Sequence, residues 1–340
     1  VSSRPVTIAV PTYRRPEQLA QVLSALPVQV ATLMDTGSSA GSGASVGPAG
    51  PSGPAGLQVI VVDNNPEGPD GPVPGIVAAQ PIPGAIGGTA RYVHEPAAGV
   101  AAVRNAALRE ALPDGYLVFI DDDCLPLKGW LAEMLACAAR TRATAVVGLA
   151  KAVLGEEAEA WVHASGHFTA VHHEVDQVLE GGGSTANLLL DLHQLRIAGI
   201  RFDLAYGTTG GEDSRLLRDV RLAGGRVVAC PTAVTTEPVP QDRATREWVL
   251  ARTQRNAETW SRVRVDLRPG EGVRVPLLNR ACLVGRGAFL TARGRVTLAV
   301  AAARKDAGAR ARAERAIASG RGVVLGALGY NREEYARPAG

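Results

Sequence analysis

The sequence predicts an α/β protein built on a mostly parallel central sheet flanked by helices, with a helical extension at its carboxyl end. Three observations predict this. Short apolar runs at Val6 to Val10, Leu57 to Val62 and Tyr116 to Ile120 lack polar alternation, as strands buried on both faces do. Helical patterns lie between them. Each run also ends in polar or special residues: Pro11-Thr12-Tyr13-Arg14, Asp63-Asn64-Asn65 and Asp121-Asp122-Asp123. A parallel sheet places its ligand beyond the carboxyl ends of its strands, so these endings mark candidate site residues.

The elements follow in order. A helix is expected from Arg15 to Leu26, with Pro16 at its start and Glu17 in its first turn. Asp35 to Gly56 is Gly/Ala/Ser/Pro-rich with almost no charge and reads as a flexible surface insertion. A second loose stretch is expected from Pro66 to Gly88. Gly99 to Leu112 and Trp130 to Thr141 read as helices, and Ala145 to Leu154 as a strand. Trp161 to Glu174 reads as irregular and carries four of the six histidines. A short strand from Ser184 to Asp191 precedes the cluster Gly210-Gly211-Glu212-Asp213. A helix from Ser214 to Ala223 and a strand from Arg226 to Ala229 then finish the sheet. Residues 1–240 form the expected catalytic domain, and 241–340 a helical, Arg-rich region.

Composition narrows the function. With 340 residues, 46% hydrophobic and 20% charged, the chain is long enough to bury a substantial core. Aromatics at 4% argue against a base-stacking nucleic-acid binder. The four cysteines (Cys124, Cys137, Cys230, Cys282) form no CxxC pair, which argues against a zinc knuckle or a disulfide scaffold. His163 and His167 have i, i+4 spacing, but Gly166 interrupts them and no Cys lies nearby, so zinc is not expected. The opening apolar run is too short for a secretory signal, and no stretch reaches the length of a spanning helix. The expected location is cytoplasmic.

Phe119 to Pro126, FIDDDCLP, is the strongest chemical element. A buried strand delivers three carboxylates at its carboxyl end, with Asp121 and Asp123 on one side. Like charges so placed need a cation between them, and hard divalent cations with oxygen ligands fit. In Gly210 to Leu217, Glu212 and Asp213 open a helix whose dipole favours negative charge. Asp213 serves as a general base if it faces that site across a cleft.

The motif order resembles the family 2 glycosyltransferases with the nucleotide-sugar-binding, Rossmann-like GT-A fold, from about Val6 to about Trp260. The matching pieces are VPTYRRPEQL, LQVIVVDNN, GVAAVRNAAL, YLVFIDDDCLP, TANLLLDLHQLRIAGIRFDLAYGTTGGEDSRLL and VVACPTAVTTEPVP. The nearest flavour is the small, non-processive bacterial type, since the QxxRW motif of processive synthases is missing. The resemblance implies an inverting transfer of sugar from a nucleoside diphosphate sugar, a UDP-sugar by expectation, to an acceptor hydroxyl. It implies that Thr12 and Tyr13 contact base and ribose, that Asp63 accepts from uracil, and that Arg104 lies near base or phosphates. Asp121 would hold the ribose with Asp122 beside it, and Asp123 would ligate Mn²⁺ or Mg²⁺. Asp213 would be the base, Glu212 its support, and Asn187 a neighbour of the donor sugar. Many relatives carry a His where Glu237 stands here; Glu237 fits either a metal ligand or a solvent-facing strand end.

Trp161 either stacks on an acceptor sugar or belongs to local core. Residues 286–322 hold nine bases against Asp306 and Glu314. Such a segment either lies on an anionic membrane surface, placing the enzyme on the inner face of the cell membrane beside a lipid-linked acceptor, or covers the catalytic domain as a solvated face. A sugar, lipid-linked or small-molecule acceptor is expected, and nucleic acid is not. The alternatives to a transferase are a nucleotidyltransferase and a sugar-nucleotide-binding protein without turnover.

Overall fold

The computed structural model describes residues 4–38, 55–180, 182–266 and 276–330. Most of the Gly/Ala/Pro-rich insertion therefore lies outside the described residues. The strands are β1 (Val6–Thr12), β2 (Leu57–Asp63), β3 (Arg91–His94), β4 (Tyr116–Ile120), β5 (Leu125–Pro126), β6 (Ala145–Leu154), β7 (Asn187–Asp191) and β8 (Val227–Val239). They form one sheet in the order β3-β2-β1-β4-β7-β6-β8-β5. The β3-β2-β1-β4 half is parallel throughout. In the other half β6 and β8 are parallel, while β7 runs antiparallel to both its neighbours and β5 to β8.

The strands lack polar alternation because both faces are covered. Val6, Ile8 and Val10 of β1 pack with Leu19, Leu23 and Leu26 of α1 (Pro16–Ser38) on one side. Ala9, Ile60, Val62 and Phe119 pack on the other side with α3 (Val100–Glu110) and α7 (Glu212–Leu222). Trp130 and Met134 of α4 (Trp130–Thr141) join the first core.

Several elements differ from expectation. The α1 helix continues past Pro27 to Ser38. An internal proline costs about 3 kcal/mol. Val30 and Leu33 prolong the buried stripe beyond it, and burial of two such side chains, about 1.5–3 kcal/mol each, offsets that cost. The stretch expected to be loose holds α2 (Val73–Ala79), anchored by buried Val73 and Val77. The histidine-bearing stretch opens with a short helix, α5 (Ala160–Ser165), and α6 (Leu192–Ile197) follows β7. Finally, β8 runs ten residues beyond Ala229, past a register shift opposite Gly148/Leu149, and sets Glu237 opposite Ala152.

Beyond the sheet lie α8 (Arg246–Val265), α9 (Pro276–Ala303) and α10 (Ala307–Ala327). Their small core is Ala257, Val265, Leu283, Val323 and Ala327. Gly322 and Gly326 of α10 sit directly on the carbonyl oxygens of Gln254 and Glu258 in α8, where any Cβ would collide. Glycine is required there by close helix approach. Among the described residues, no helix is long and apolar enough to cross a membrane.

Candidate active site

The polar endings of β1 and β4 meet where the sheet's strand order reverses, the crevice that open α/β sheets use for ligands. Thr12 Oγ1 donates to Asp122 Oδ2 across this crevice at 2.8 Å. Arg14 adopts a left-handed backbone (φ 54°), held by its N–H donating to Asn65 Oδ1 at 2.7 Å. That turn sends Arg15 back over the carboxylates. Its Nη1 lies 3.0 Å from Asp122 Oδ1 and 2.5 Å from Asp123 Oδ2.

An open cleft of about 620 Å³ lies above this junction. Thr12, Tyr13, Arg104, Asp121, Asp122, Asp123 and Glu237, all expected from the sequence, line it. At its edge Gly99 (φ 107°) opens α3, and a Cβ at that position would clash with the Gly207 carbonyl. Arg104, one turn into α3, is buried, paired with Glu212, and 3.7 Å from Asp121 Oδ1. Glu212 itself is buried behind the wall.

The carboxylates act on one another. Burial pushes Asp122 up to about 6; Arg15 and the Thr12 hydroxyl pull it back, while Asp123 and Asp121 push it further. Asp121 keeps part of its side chain in solvent, yet the cleft walls withdraw enough water to raise it. Arg104 and Arg15 oppose that rise, and Asp123 and Asp213 add to it. Burial, then Asp123 and Asp121, likewise raises Glu237. So Glu237 and Asp213 both lie within electrostatic reach of the aspartate row. Asp213 does not line the cleft wall, and its Oδ1 accepts from the Ser214 N–H at 2.5 Å.

The structure does not bring three other expected residues to the cleft. Asp63 is fully buried, with Oδ1 accepting from Asn65 N–H at 2.8 Å and Oδ2 from the Tyr92 hydroxyl at 3.0 Å. Its neighbour Asn64 lines the cleft instead. Asn187 is a buried bolt: Oδ1 accepts from Trp130 Nε1 at 2.8 Å, and Nδ2 donates to the carbonyls of Ala233 and Leu149 at 2.9 and 3.3 Å. Trp161 lies against the carboxyl-terminal helices, donating to Glu314 Oε2 at 3.0 Å beneath the Arg246 guanidinium.

Sequence reasoning missed part of the lining, made by Arg243 and by Trp248, Arg252 and Arg255 of α8. Spacings of four and three put the last three on one helix face, a legible signal. It also missed Arg15. The cation between the aspartates here is a guanidinium. Among the described residues, no group of three or more His, Cys, Asp or Glu side chains is arranged to hold a metal. The donor chemistry nevertheless suits a hard divalent ion, because Asp121, Asp123 and Glu237 are oxygen donors, and the charge of Asp123 raises the proton affinity of both Asp121 and Glu237.

Residues 7–188 match the model of glycosyl transferase family 2. The chain belongs to that family. It is therefore a glycosyltransferase, and its α/β sheet is the family's GT-A fold. A Rhizobium meliloti (strain 1021) relative, the succinoglycan biosynthesis protein ExoM, is 33% identical over 263 residues, 76% of this chain and 74% of ExoM. Among solved structures, S. aureus TarS aligns over 91% of this glycosyltransferase at 16% identity with a TM-score of 0.49. The glycosyltransferase spans 54% of that TarS chain. TarS 1–349 in complex with UDP-GlcNAc aligns over 91% of this chain and 90% of its own at 15% identity, with a TM-score of 0.47.

Proposed function

We propose that this glycosyltransferase moves a sugar from a nucleoside diphosphate sugar, a UDP-sugar, to an acceptor hydroxyl by a single inverting displacement. The observation that carries the reading is the mixed charge of one cleft. The Asp121–Asp123 row and Glu237 line the same 620 Å³ space as the guanidiniums of Arg243, Arg252 and Arg255, and Arg243 and Arg252 oppose the rise in the proton affinity of Glu237. A diphosphate suits cationic groups, and the amino end of α3 at Gly99, which also lines the cleft, adds its dipole.

Thr12, fixed by Asp122, and Tyr13 hold base and ribose with Asp121. Arg104, steadied by Glu212, sets the position of Asp121. Asp213 takes the proton from the acceptor hydroxyl as it attacks the anomeric carbon, and no covalent intermediate is needed. Asp123 and Glu237 would hold Mn²⁺ or Mg²⁺, which supplies charge neutralisation for the departing diphosphate. Asp63, buried beneath the base site, acts by holding the Asn64–Asn65 turn in place.

Residues 1–240 are the catalytic unit in this reading. The likeness to a succinoglycan biosynthesis protein supports an acceptor drawn from polysaccharide assembly. The enzyme works on the cytoplasmic side of an anionic membrane through its basic region, 286–322. Support comes from α9, whose exposed Phe289, Val296 and Val300 share a stripe beside Arg286 and Arg293. Flotation with phosphatidylglycerol vesicles tests this, and equal flotation after removal of residues 286–330 refutes it.

Calorimetric titration of UDP, GDP and dTDP, each with and without Mn²⁺, tests the donor site. UDP alone is expected to bind tightly, and only with the metal. Binding of none of the three overturns the donor reading.

A further inference from the structure

Behind the donor cleft lies a second, open groove of about 410 Å³, formed where α8, α9 and α10 meet the segment after α5. Arg286 and Arg315 contribute guanidiniums to it. Neither forms an ion pair among the described residues, although acids neutralise other basic residues of the same helices, as Glu314 does Arg246 and Arg310. Arg286 instead lies over the Trp260 ring, 5.4 Å from its centroid. Arg315 Nη1 donates to the Ser165 carbonyl at 2.6 Å, and burial lowers its proton affinity with no carboxylate to oppose it.

The positive potential registers on His167, which shares this groove. Burial, then Arg315 and Arg252, pulls its pKa down to about 4, so at neutral pH it is an uncharged hydrogen-bonding ring. Trp260, Leu290, Ala257 and Val323 form an apolar part of the remaining wall, and Thr253, Asn256 and Ser319 a polar part. Two guanidiniums without an ion pair among the described residues, set beside an apolar strip, suit an anion that carries a hydrocarbon chain.

Position adds a second argument. His167 packs edge-on against Trp248 at 6.0 Å, and Trp248 lines the donor cleft. One layer of rings therefore separates groove from cleft. On the outer side, Leu290 adjoins Phe289, which is 65% exposed, so the apolar wall continues onto the surface of α9.

We propose that this groove holds the phosphate of an amphiphilic phosphoester, the lipid-linked form of the acceptor, between Arg286 and Arg315, with its chain along Trp260, Leu290 and Val323. Assigning the ligand as acceptor rests on the glycosyl-transfer reading above; binding of an alkyl phosphate does not. The groove and the apolar stripe of α9 meet at Arg286, while Arg315 and His167 belong to the groove alone.

The full chain is titrated calorimetrically with monomeric dodecyl phosphate, with uncharged dodecyl maltoside, and with inorganic phosphate. Dodecyl phosphate is expected to bind one per chain, at least tenfold tighter than either control. Arg286→Gln should weaken it three- to tenfold, and the double variant R286Q/R315Q more than tenfold, with melting temperature checked for each. If loss of the Ser165 contact unfolds the double variant, Arg286→Gln alone decides. Equal binding of dodecyl maltoside, equal binding of inorganic phosphate, or an unaltered Arg286→Gln variant overturns the proposal. Phosphatidylglycerol vesicles form a further arm. Binding to them without binding of monomeric dodecyl phosphate assigns the arginines to bilayer lipid and overturns the acceptor site. UDP is titrated separately: a chain that binds UDP but not dodecyl phosphate refutes the groove alone, and the converse refutes the donor site alone.

Discussion

Nη1 of Arg15 lies 2.5 Å from Oδ2 of Asp123, so a guanidinium of the chain itself occupies the cation position beside the aspartate row. A divalent ion reaching Asp123 must share or displace that contact. Arg15→Gln is therefore expected to bind Mn²⁺ at least threefold more tightly, while Asp123→Ala and Glu237→Gln weaken it on the order of tenfold to a hundredfold. Mn²⁺ titration followed by electron paramagnetic resonance reads both effects. Unaltered affinity in all three variants would separate this row from the metal.

Asp122 carries a stability signature. Its carboxyl is raised to about 6 in the folded chain, whereas an unfolded Asp titrates near 3.8. Between these values the folded state binds the extra proton, so stability falls as pH rises from about 4 through about 6. The neutral Asp122→Asn escapes that loss. It should be more stable than the parent at pH 8 by up to about 3 kcal/mol, the difference vanishing near pH 4. Denaturant melts at the two pH values check it, and the stabilised variant should bind donor more weakly because Thr12 and Arg15 lose their anchor.

Asp213 stands apart from the cleft wall yet is felt by Asp121. Asp213→Asn should lower sugar transfer by about 10²- to 10⁴-fold while leaving UDP affinity within about threefold. Parallel losses in both would assign Asp213 to donor binding. A protein that never turned over would have no activity to lose.

Asn187 is a test of structure against binding. Asn187→Ala strands the Trp130 N–H and two carbonyls in the core, with an expected cost of about 1–3 kcal/mol. Its melting temperature should fall while UDP affinity of the folded protein stays within about twofold. A selective loss of affinity without destabilisation would return Asn187 to the donor site.

The parts of the fold legible in sequence were those whose burial is two-sided or strictly periodic. Tyr116–Ile120, Trp130–Thr141 and Ala145–Leu154 end where their patterns end. Arg91–His94 escaped because an edge strand with an exposed arginine shows neither pattern. In the site, the aspartates were legible because three adjacent carboxylates repel one another, and a buried strand seldom ends in them without a cation or ligand to hold. Arg15 was not, since its placement depends on the left-handed Arg14 and on Asn65, a contact across 51 positions. Asn187 shows the converse limit: its motif position does not tell that its amide is taken up by Trp130, Leu149 and Ala233.

The glycines of α10 carry a practical consequence for chimeras. Gly322 and Gly326 fix the seat of α8, and α8 supplies Trp248, Arg252 and Arg255 to the cleft that Asp123 and Glu237 also line. A graft that exchanges residues 1–240 between homologues would pair one parent's carboxylates with the other's guanidiniums. The smallest transplantable donor cleft therefore includes Gly326, although that glycine itself does not line it.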